Sequence, residues 1–327
     1  MEKQLKTIRW GIIGLGKIAH KFATDIVTVE GCELYAVASR SQEKADAFAS
    51  QYNAPKAYHR YDALANDPEI DAVYIATPHA LHKENTIMCL KKGIAVLCEK
   101  PFAMNQEEVS EMIKVAKDDN ILLMEALWTY FLPHYRYVLD ELKNGTFGNI
   151  LKLEANFGFY REFDDLARLF KKSLGGGSLL DIGIYPIFAA LSMLGLPNRM
   201  EAHATFFDNG ADSSCDMTFH YPDNVKANLK CSLLEDLSTE AKIYCEKGNI
   251  TIHKQFHTPT TVTITTKDSK ETLDFTCNEF GYNYEIAHFS QLIRDGKTES
   301  DIMTFDFSKK LIKTLDDVSE LIGLSYK

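Results

Sequence analysis

Two halves of different class are predicted: an α/β half with a doubly wound parallel sheet, then an α+β half on an open, mostly antiparallel sheet with helices on one face. Three observations predict this. Through about residue 124, short apolar runs alternate with helical periodicity, the pattern of right-handed crossovers and a sheet covered on both faces. From about residue 150, period-two segments follow one another with turn residues between them. At 327 residues the chain exceeds one typical core and suggests two.

Ile8, Trp10, Ile12 and Ile13 read as a buried parallel strand. It enters Gly14-Leu15-Gly16-Lys17-Ile18-Ala19, the G-x-G-x-x-A form of a dinucleotide fingerprint. Gly14 permits the tight turn, Gly16 lets a pyrophosphate approach the backbone, and Ala19 lets the next helix pack close. That helix, carrying Ile18, Phe22 and Ile26, would hold phosphate charge at its N-terminus. Residues 1–124 are therefore read as a nucleotide-binding Rossmann domain with Gly14, Leu15, Gly16, Lys17 and Ile18 as its contact loop.

The second strand, 32–38, closes on Ser39-Arg40-Ser41, and Ser41 is expected to cap a helix over 42–52. An NAD site usually carries Asp or Glu here for the ribose 2′-hydroxyl. A guanidinium with two hydroxyls suits a 2′-phosphate instead, so NADP is the expected cofactor and NAD the second choice. An ordinary surface arginine is the alternative. Further strands are predicted at 72–76, 94–98 and 121–124, with helices over 80–92 and 105–118. Ligands of open α/β sheets bind beyond the C-terminal strand ends, which places Thr77, Pro78, His79, Glu99, Lys100 and Pro101 at the crevice. On residues alone, Lys100 reads more often as a solvated loop lysine than as a catalytic one. His79 and His82 have no third ligand in view, so no metal site is expected.

In the second half a helix is predicted over 133–143. Strands follow at 150–159, 200–207, 214–221, 225–233, 239–246, 249–253, 260–266 and 271–275. Between the first two lie Gly175-Gly176-Gly177 and an apolar helix over 178–194. The glycines let backbone pass close to a ligand or another chain. Asp181 and Tyr185, spaced i, i+4, would share one helix face; a helix cap with a core tyrosine is the plain alternative. Tyr160, Arg161, Phe163 and Arg168, with Trp128, are expected to shape a substrate pocket. Phe131 and Tyr135 read as packing between domains, and His134, His220, His253 and His257 as surface or strand histidines. The expected division is 1–124, 125–302, and a closing helical stretch 303–327 that returns near the first domain.

Bulk properties exclude other classes. A net charge of −10 without a basic run argues against nucleic acid. No apolar run is read as membrane-spanning, and a first strand starting near residue 8 leaves no room for a leader. Seven scattered cysteines without C-x-x-C spacing read as free thiols in a reducing cytoplasm. An uncovered sheet face suggests a homodimer.

Together, the glycine loop, Glu99-Lys100-Pro101 and the glycine run leading to Asp181 resemble the glucose–fructose oxidoreductase / inositol dehydrogenase / MocA family along essentially the whole chain. Glu125-Ala-Leu-Trp-Thr129 and Asp181-Ile-Gly-Ile-Tyr185 are most similar to its dimeric dihydrodiol dehydrogenase and NADP-linked xylose dehydrogenase branch. The resemblance implies hydride transfer between nicotinamide and a carbinol carbon of a sugar, cyclic polyol or dihydrodiol. It also implies a catalytic Lys100 and an Asp181 that positions substrate or lysine. Much of the family has histidine where this chain has Tyr185, which favours tyrosine as acid/base and argues against inositol dehydrogenase. The family's Asn-x-x-His segment appears as His79-Ala-Leu-His82, making His82 an expected nicotinamide-side contact. A non-catalytic NADP-binding regulator on the same fold is the competing expectation.

Overall fold

Strands buried on both faces need near-continuous apolar runs, and the first part of the chain supplies five; a sixth, the short edge strand Lys56–Tyr58, has no such run and was not predicted. In the computed structural model, which describes residues 6–326, these are β1 (Ile8–Ile13), β2 (Cys32–Ala38), β3 (Lys56–Tyr58), β4 (Ala72–Ile75), β5 (Ala95–Glu99) and β6 (Leu123–Ala126). They pair in the order β3-β2-β1-β4-β5-β6, every neighbour parallel. The order reverses direction between β1 and β4, so the loops after those two strands flank the switch point where such sheets bind ligands. The crossovers carry α1 (Lys17–Ile26), α2 (Gln42–Tyr52), α3 (Tyr61–Ala65), α4 (His82–Leu90) and α5 (Gln106–Asp119). Ser41 caps α2 by accepting the Lys44 N–H at 3.4 Å, and Asn105 caps α5 through Glu108 N–H at 2.9 Å. Both helices end on an asparagine in the left-handed region, Asn53 and Asn120.

The second sheet comprises β7 (Ile150–Gly158), β8 (Arg199–Phe206), β9 (Asp212–His220), β10 (Lys226–Ser232), β11 (Ala241–Cys245), β12 (Gly248–Ile252), β13 (Thr261–Thr266) and β14 (Lys270–Asp274). Their order is β14-β13-β12-β11-β7-β10-β9-β8. Only β7 and β10 run parallel, in register from Lys152↔Lys226 to Gly158↔Ser232. Alternation sets the faces: Leu153, Ala155, Ala227, Leu229, Met217 and Phe219 are buried. The helices of this part are α6 (Pro133–Lys143) and α7 (Ile184–Leu194), and α7 packs on β7 and β10.

The chain divides into two compact units. One is the chain up to Trp128 with Asn278–Lys309; the other is Thr129–Cys277 with the residues from Lys310 onward. The first unit thus includes α8 (Tyr282–Arg294), which sequence reading passed over within the span 125–302. Its buried Tyr282, Ile286 and Phe289 follow helical spacing. Phe289 meets the fully buried Trp10 at 5.2 Å between ring centroids. The Trp10 indole N–H donates to Ser290 Oγ at 3.2 Å. From α1, the Asp25 carboxylate accepts the N–H groups of Phe280, Gly281 and Tyr282 at 3.0, 2.9 and 2.8 Å, capping α8 from a distant part of the chain. The division between units falls inside α9 (Phe305–Leu321), which occupies most of the predicted closing helical stretch 303–327.

Two expectations need revision. The helix expected over 178–194 opens with a π-helical turn, Leu179–Gly183, before α7. The i, i+4 argument for Asp181 and Tyr185 assumed 3.6 residues per turn throughout, and i→i+5 bonding across 179–183 alters that rotation. Residues 172–194 are also apolar and long enough to cross a membrane, contrary to the reading that no run is; 78% of the most apolar window is buried within the protein, as in a core helix.

Candidate functional site

The turn after β1 separates the jobs of its two glycines. Gly14 has φ +93°, and a Cβ there would lie 2.7 Å from the Ala76 carbonyl carbon and oxygen, and 2.8 Å from Thr77 N. Backbone from the loop after β4 already fills that side, so Gly14 is required by the fold itself. Gly16 differs: a Cβ there would meet nothing within 4 Å, and Gly16 is the N-cap of α1 with no side-chain cap bond. The result is an open helix N-terminus whose backbone donors face a space a side chain would otherwise enter, the cradle a pyrophosphate needs. Gly16 and Lys17 are exposed, with Leu15 and Ile18 partly so.

At the end of β2, Ser39 is nearly buried and Arg40 exposed. The hydroxyl of Ser39 accepts the Ser41 N–H at 3.3 Å. Arg40 lies beside Tyr61 at the start of α3. A cation and a hydroxyl with no acidic residue between them fit a phosphate-bearing ribose.

Thr77, His79 and His82 line the end of β4, all buried. The His82 ring is fully buried, with Nδ1 2.8 Å from the Pro101 carbonyl oxygen and Nε2 2.9 Å from that of Thr77. This places the imidazole between two backbone segments, bracing the loops after β4 and β5. Glu99 is buried, Lys100 half-buried and Pro101 buried beyond β5. Trp128, expected at the substrate, stacks on Tyr282 at 4.4 Å and 18° within the first unit.

In the second unit, the glycine run passes close to its own chain. A Cβ on Gly176 would lie 2.6 Å from Lys171 N, and one on Gly177 2.0 Å from Asp212 Oδ1. Asp212 is fully buried; its Oδ2 accepts both the Ser178 hydroxyl and the Leu179 N–H at 2.6 Å. A carboxylate from β9 therefore anchors the start of the helical run that presents Asp181 and Tyr185. Burial pushes its carboxyl up, opposed by those bonds.

Asp181 accepts from Arg168 Nη2 at 2.8 Å, joining two residues the sequence had singled out separately. Tyr185, only 5% exposed, sits with its ring 5.5 Å from Phe157 and 4.8 Å from His257. Phe157 and His257 stack at 4.4 Å. Sequence reading left His257 among the surface or strand histidines. Its backbone carbonyl accepts the Thr129 hydroxyl at 3.0 Å, while the preceding Phe256 carbonyl accepts from His134 Nε2 at 2.9 Å. His134 is itself fully buried in α6 rather than at the surface. Tyr135, read as inter-domain packing, stacks on Phe188 at 5.0 Å within this unit.

The remaining pocket candidates spread out. Tyr160 is 61% exposed, Arg161 is exposed, and Phe163 stacks on Phe207 at 4.9 Å. The structure thus pairs Arg168 with Asp181 and sets Tyr185 against Phe157 and His257, and leaves Tyr160 and Arg161 on the surface of the 159–167 loop.

A dinucleotide cradle at the switch point of a parallel sheet, and an aromatic-walled tyrosine on a separate α+β unit, define an NAD(P)-dependent oxidoreductase. Residues 8–127 match an oxidoreductase family with an NAD-binding Rossmann fold, and residues 135–251 match the GFO/IDH/MocA C-terminal domain. The chain belongs to the Gfo/Idh/MocA family. It is 34% identical over 328 residues to trans-1,2-dihydrobenzene-1,2-diol dehydrogenase of Xenopus tropicalis, covering 97% of this chain and 99% of that protein. The Homo sapiens protein of that name is 32% identical, covering 98% of each. Among solved structures, a 3-ketoreductase from Actinomadura kijaniata in complex with NADP superposes with TM-score 0.84 at 25% identity, over 97% of this chain and 98% of that one. An aldose–aldose oxidoreductase from Caulobacter crescentus, complexed with glycerol, shares the fold with TM-score 0.89 at 22% identity, over 97% of each chain.

Proposed function

We propose that the protein is an NADP-linked dehydrogenase of the dihydrodiol and xylose dehydrogenase type, acting on a carbinol carbon of a trans-dihydrodiol, sugar or cyclic polyol. The observation that carries this reading is the setting of Tyr185: a buried phenol tilted against the stacked pair of Phe157 and His257, four residues after an aspartate paired with Arg168. Aromatic walls suit the faces of a ring, and an arginine–carboxylate pair offers polar contacts to its hydroxyls. NADP is favoured over NAD by Arg40 and Ser39 and by the NADP held in the Actinomadura kijaniata relative.

Gly16 and the N-terminus of α1 would hold the pyrophosphate, and Ser39 with Arg40 the 2′-phosphate. Bound nicotinamide supplies the acceptor or donor of the hydride. Tyr185 takes the hydroxyl proton during oxidation and returns it during reduction. A phenol ordinarily ionises near pH 10, so the role requires a cation that favours phenolate, and Lys100 is assigned to it. Asp181 and Arg168 orient the substrate's remaining hydroxyls. The outer face of the second sheet carries a groove of about 350 Å³ lined by Glu154, Asn156, Asp216 and Lys230 among others, and self-association through that face as a homodimer belongs to the same proposal.

The test is a panel of trans-1,2-dihydrobenzene-1,2-diol, D-xylose, D-glucose and myo-inositol with NADP, scored by absorbance of reduced cofactor. Lys100→Met and Tyr185→Phe should each lose roughly 100-fold or more in kcat, with NADP affinity within about twofold. Retention of turnover by both variants refutes the assignment.

A further inference from the structure

The turn that carries Lys100 is gripped from three elements, within a single unit. The Lys100 N–H donates to Glu99 Oε2 at 3.1 Å, while the other oxygen of Glu99 accepts the Tyr74 hydroxyl from β4. The Pro101 carbonyl oxygen lies 2.8 Å from His82 Nδ1 in α4. The Phe102 N–H donates to Glu125 Oε1 at 3.0 Å from β6. Consecutive backbone groups at 100, 101 and 102 are therefore each tied to a buried side chain.

Such a grip is costly to build. Tyr74 and His82 are fully buried, Glu125 is 2% exposed and Glu99 7%; polar groups that deep are costly unless well bonded. The Tyr74 ring stacks on Phe22 at 3.8 Å and 7°, which fixes where its hydroxyl points. Burial also pushes the Glu125 carboxyl up to about 7, against the Ser308 hydroxyl, the Phe102 N–H and the charge of Lys100. An ordinary solvated loop lysine needs none of this. A reacting group needs it, because its supporting bonds decide whether it sits within fractions of an ångström of the productive place.

We infer that Glu125, together with Tyr74 acting through Glu99, positions Lys100 for the chemistry. The inference rests on the reading of Lys100 as a working group. Neither residue is assigned contact with substrate or cofactor; both act through the peptide groups on either side of the lysine.

The experiment uses the full chain with NADP and trans-1,2-dihydrobenzene-1,2-diol or D-xylose, whichever is turned over. Tyr74→Phe and Glu125→Ala should lower kcat roughly 10- to 100-fold, the worth of a lost charge-assisted bond, while the Kd for NADP stays within about twofold. Glu125→Gln, whose amide oxygen still accepts the Phe102 N–H, should recover most of the loss. In a Lys100→Met background neither change should lower kcat further. A second readout needs no substrate: the acetylation rate of Lys100 by isotope-coded acetic anhydride, followed by mass spectrometry, should rise at least about threefold in Tyr74→Phe and Glu125→Ala while other lysines keep theirs. Tyr74→Phe retains the ring and its stacking, so it serves if Glu125→Ala fails to fold. Losses that persist undiminished in the Lys100→Met background, or an unchanged Lys100 labelling rate, overturn the inference. Wild-type turnover by Lys100→Met alone would instead remove the role given to the lysine, with the labelling result still reporting on the grip.

Discussion

Replacing the two glycines of the first turn by alanine should separate folding from cofactor binding. At Gly14 the added methyl would have to sit 2.7 Å from the Ala76 carbonyl group at φ +93°. Left-handed strain in a non-glycine residue costs about 1–3 kcal/mol, and overpacking against backbone about 1–3 more. Gly14→Ala should therefore destabilise by about 2–6 kcal/mol, lowering the first unit's Tm by roughly 5–20 °C. At Gly16, φ is −89° and a methyl meets nothing within 4 Å. Its effect on stability should stay within about 1 kcal/mol. The same methyl occupies the approach to the N-terminus of α1, so NADP affinity should fall at least roughly tenfold. Thermal melts of the unliganded protein and NADPH fluorescence titrations measure the two quantities independently. If Gly16→Ala binds NADPH as the wild type does, the pyrophosphate is not held there and the cradle argument fails.

Arg40→Ala should raise KM for NADP by roughly tenfold while leaving KM for NAD nearly unchanged, since only the 2′-phosphate loses its bidentate partner; steady-state kinetics with both cofactors decides it, and an unaltered preference ratio counts against Arg40. Stability should depend on pH with opposite sign in the two units. Burial pushes the His134 imidazole down to about 4, below the value of about 6.5 in an unfolded chain. The unfolded state then binds more protons in that window, so this contribution is whole above pH 6.5 and is lost as pH falls through 4, by about 3 kcal/mol. Glu125, pushed up to about 7, contributes fully below its unfolded value of about 4.3 and loses that contribution as pH rises through 7, by about 4 kcal/mol. Urea unfolding between pH 4 and 7.5 should show His134→Gln and Glu125→Gln each flattening one of these slopes; curves parallel to wild type would refute the account.

Local signals made much of this molecule legible. Apolar strands and helical spacing marked five of the six strands of the parallel sheet, missing only the short, partly exposed β3, and Ser41 proved to be the cap its position implied. Period-two segments located the eight strands of the second sheet to within about two residues. What stayed hidden was long-range or locally ambiguous. Tyr74 and Glu99 lie 25 residues apart and Phe102 and Glu125 lie 23 apart, so nothing in either neighbourhood announces the pairing. Asp212 looks like any polar residue entering a strand until Gly177 is laid against it. The glycine run was read as making room for a ligand or another chain, and in the fold it makes room for Asp212 and for the 168–171 backbone. For α8 a signal existed, in the spacing of Ile286 and Phe289, but its neighbours resemble the strand segments around it.

The capping of α8 by Asp25 and the docking of Phe289 on Trp10 have a consequence for synthesis. A chain emerging from the ribosome presents its nucleotide-binding strands early, yet the residues that finish that unit start at Asn278. At about 5–20 residues per second, Trp10 waits roughly 15–60 s for Phe289. Until then an indole and a carboxylate destined for the interior remain uncovered. The whole second sheet is made during that interval, so the half of the molecule written first is the half completed late.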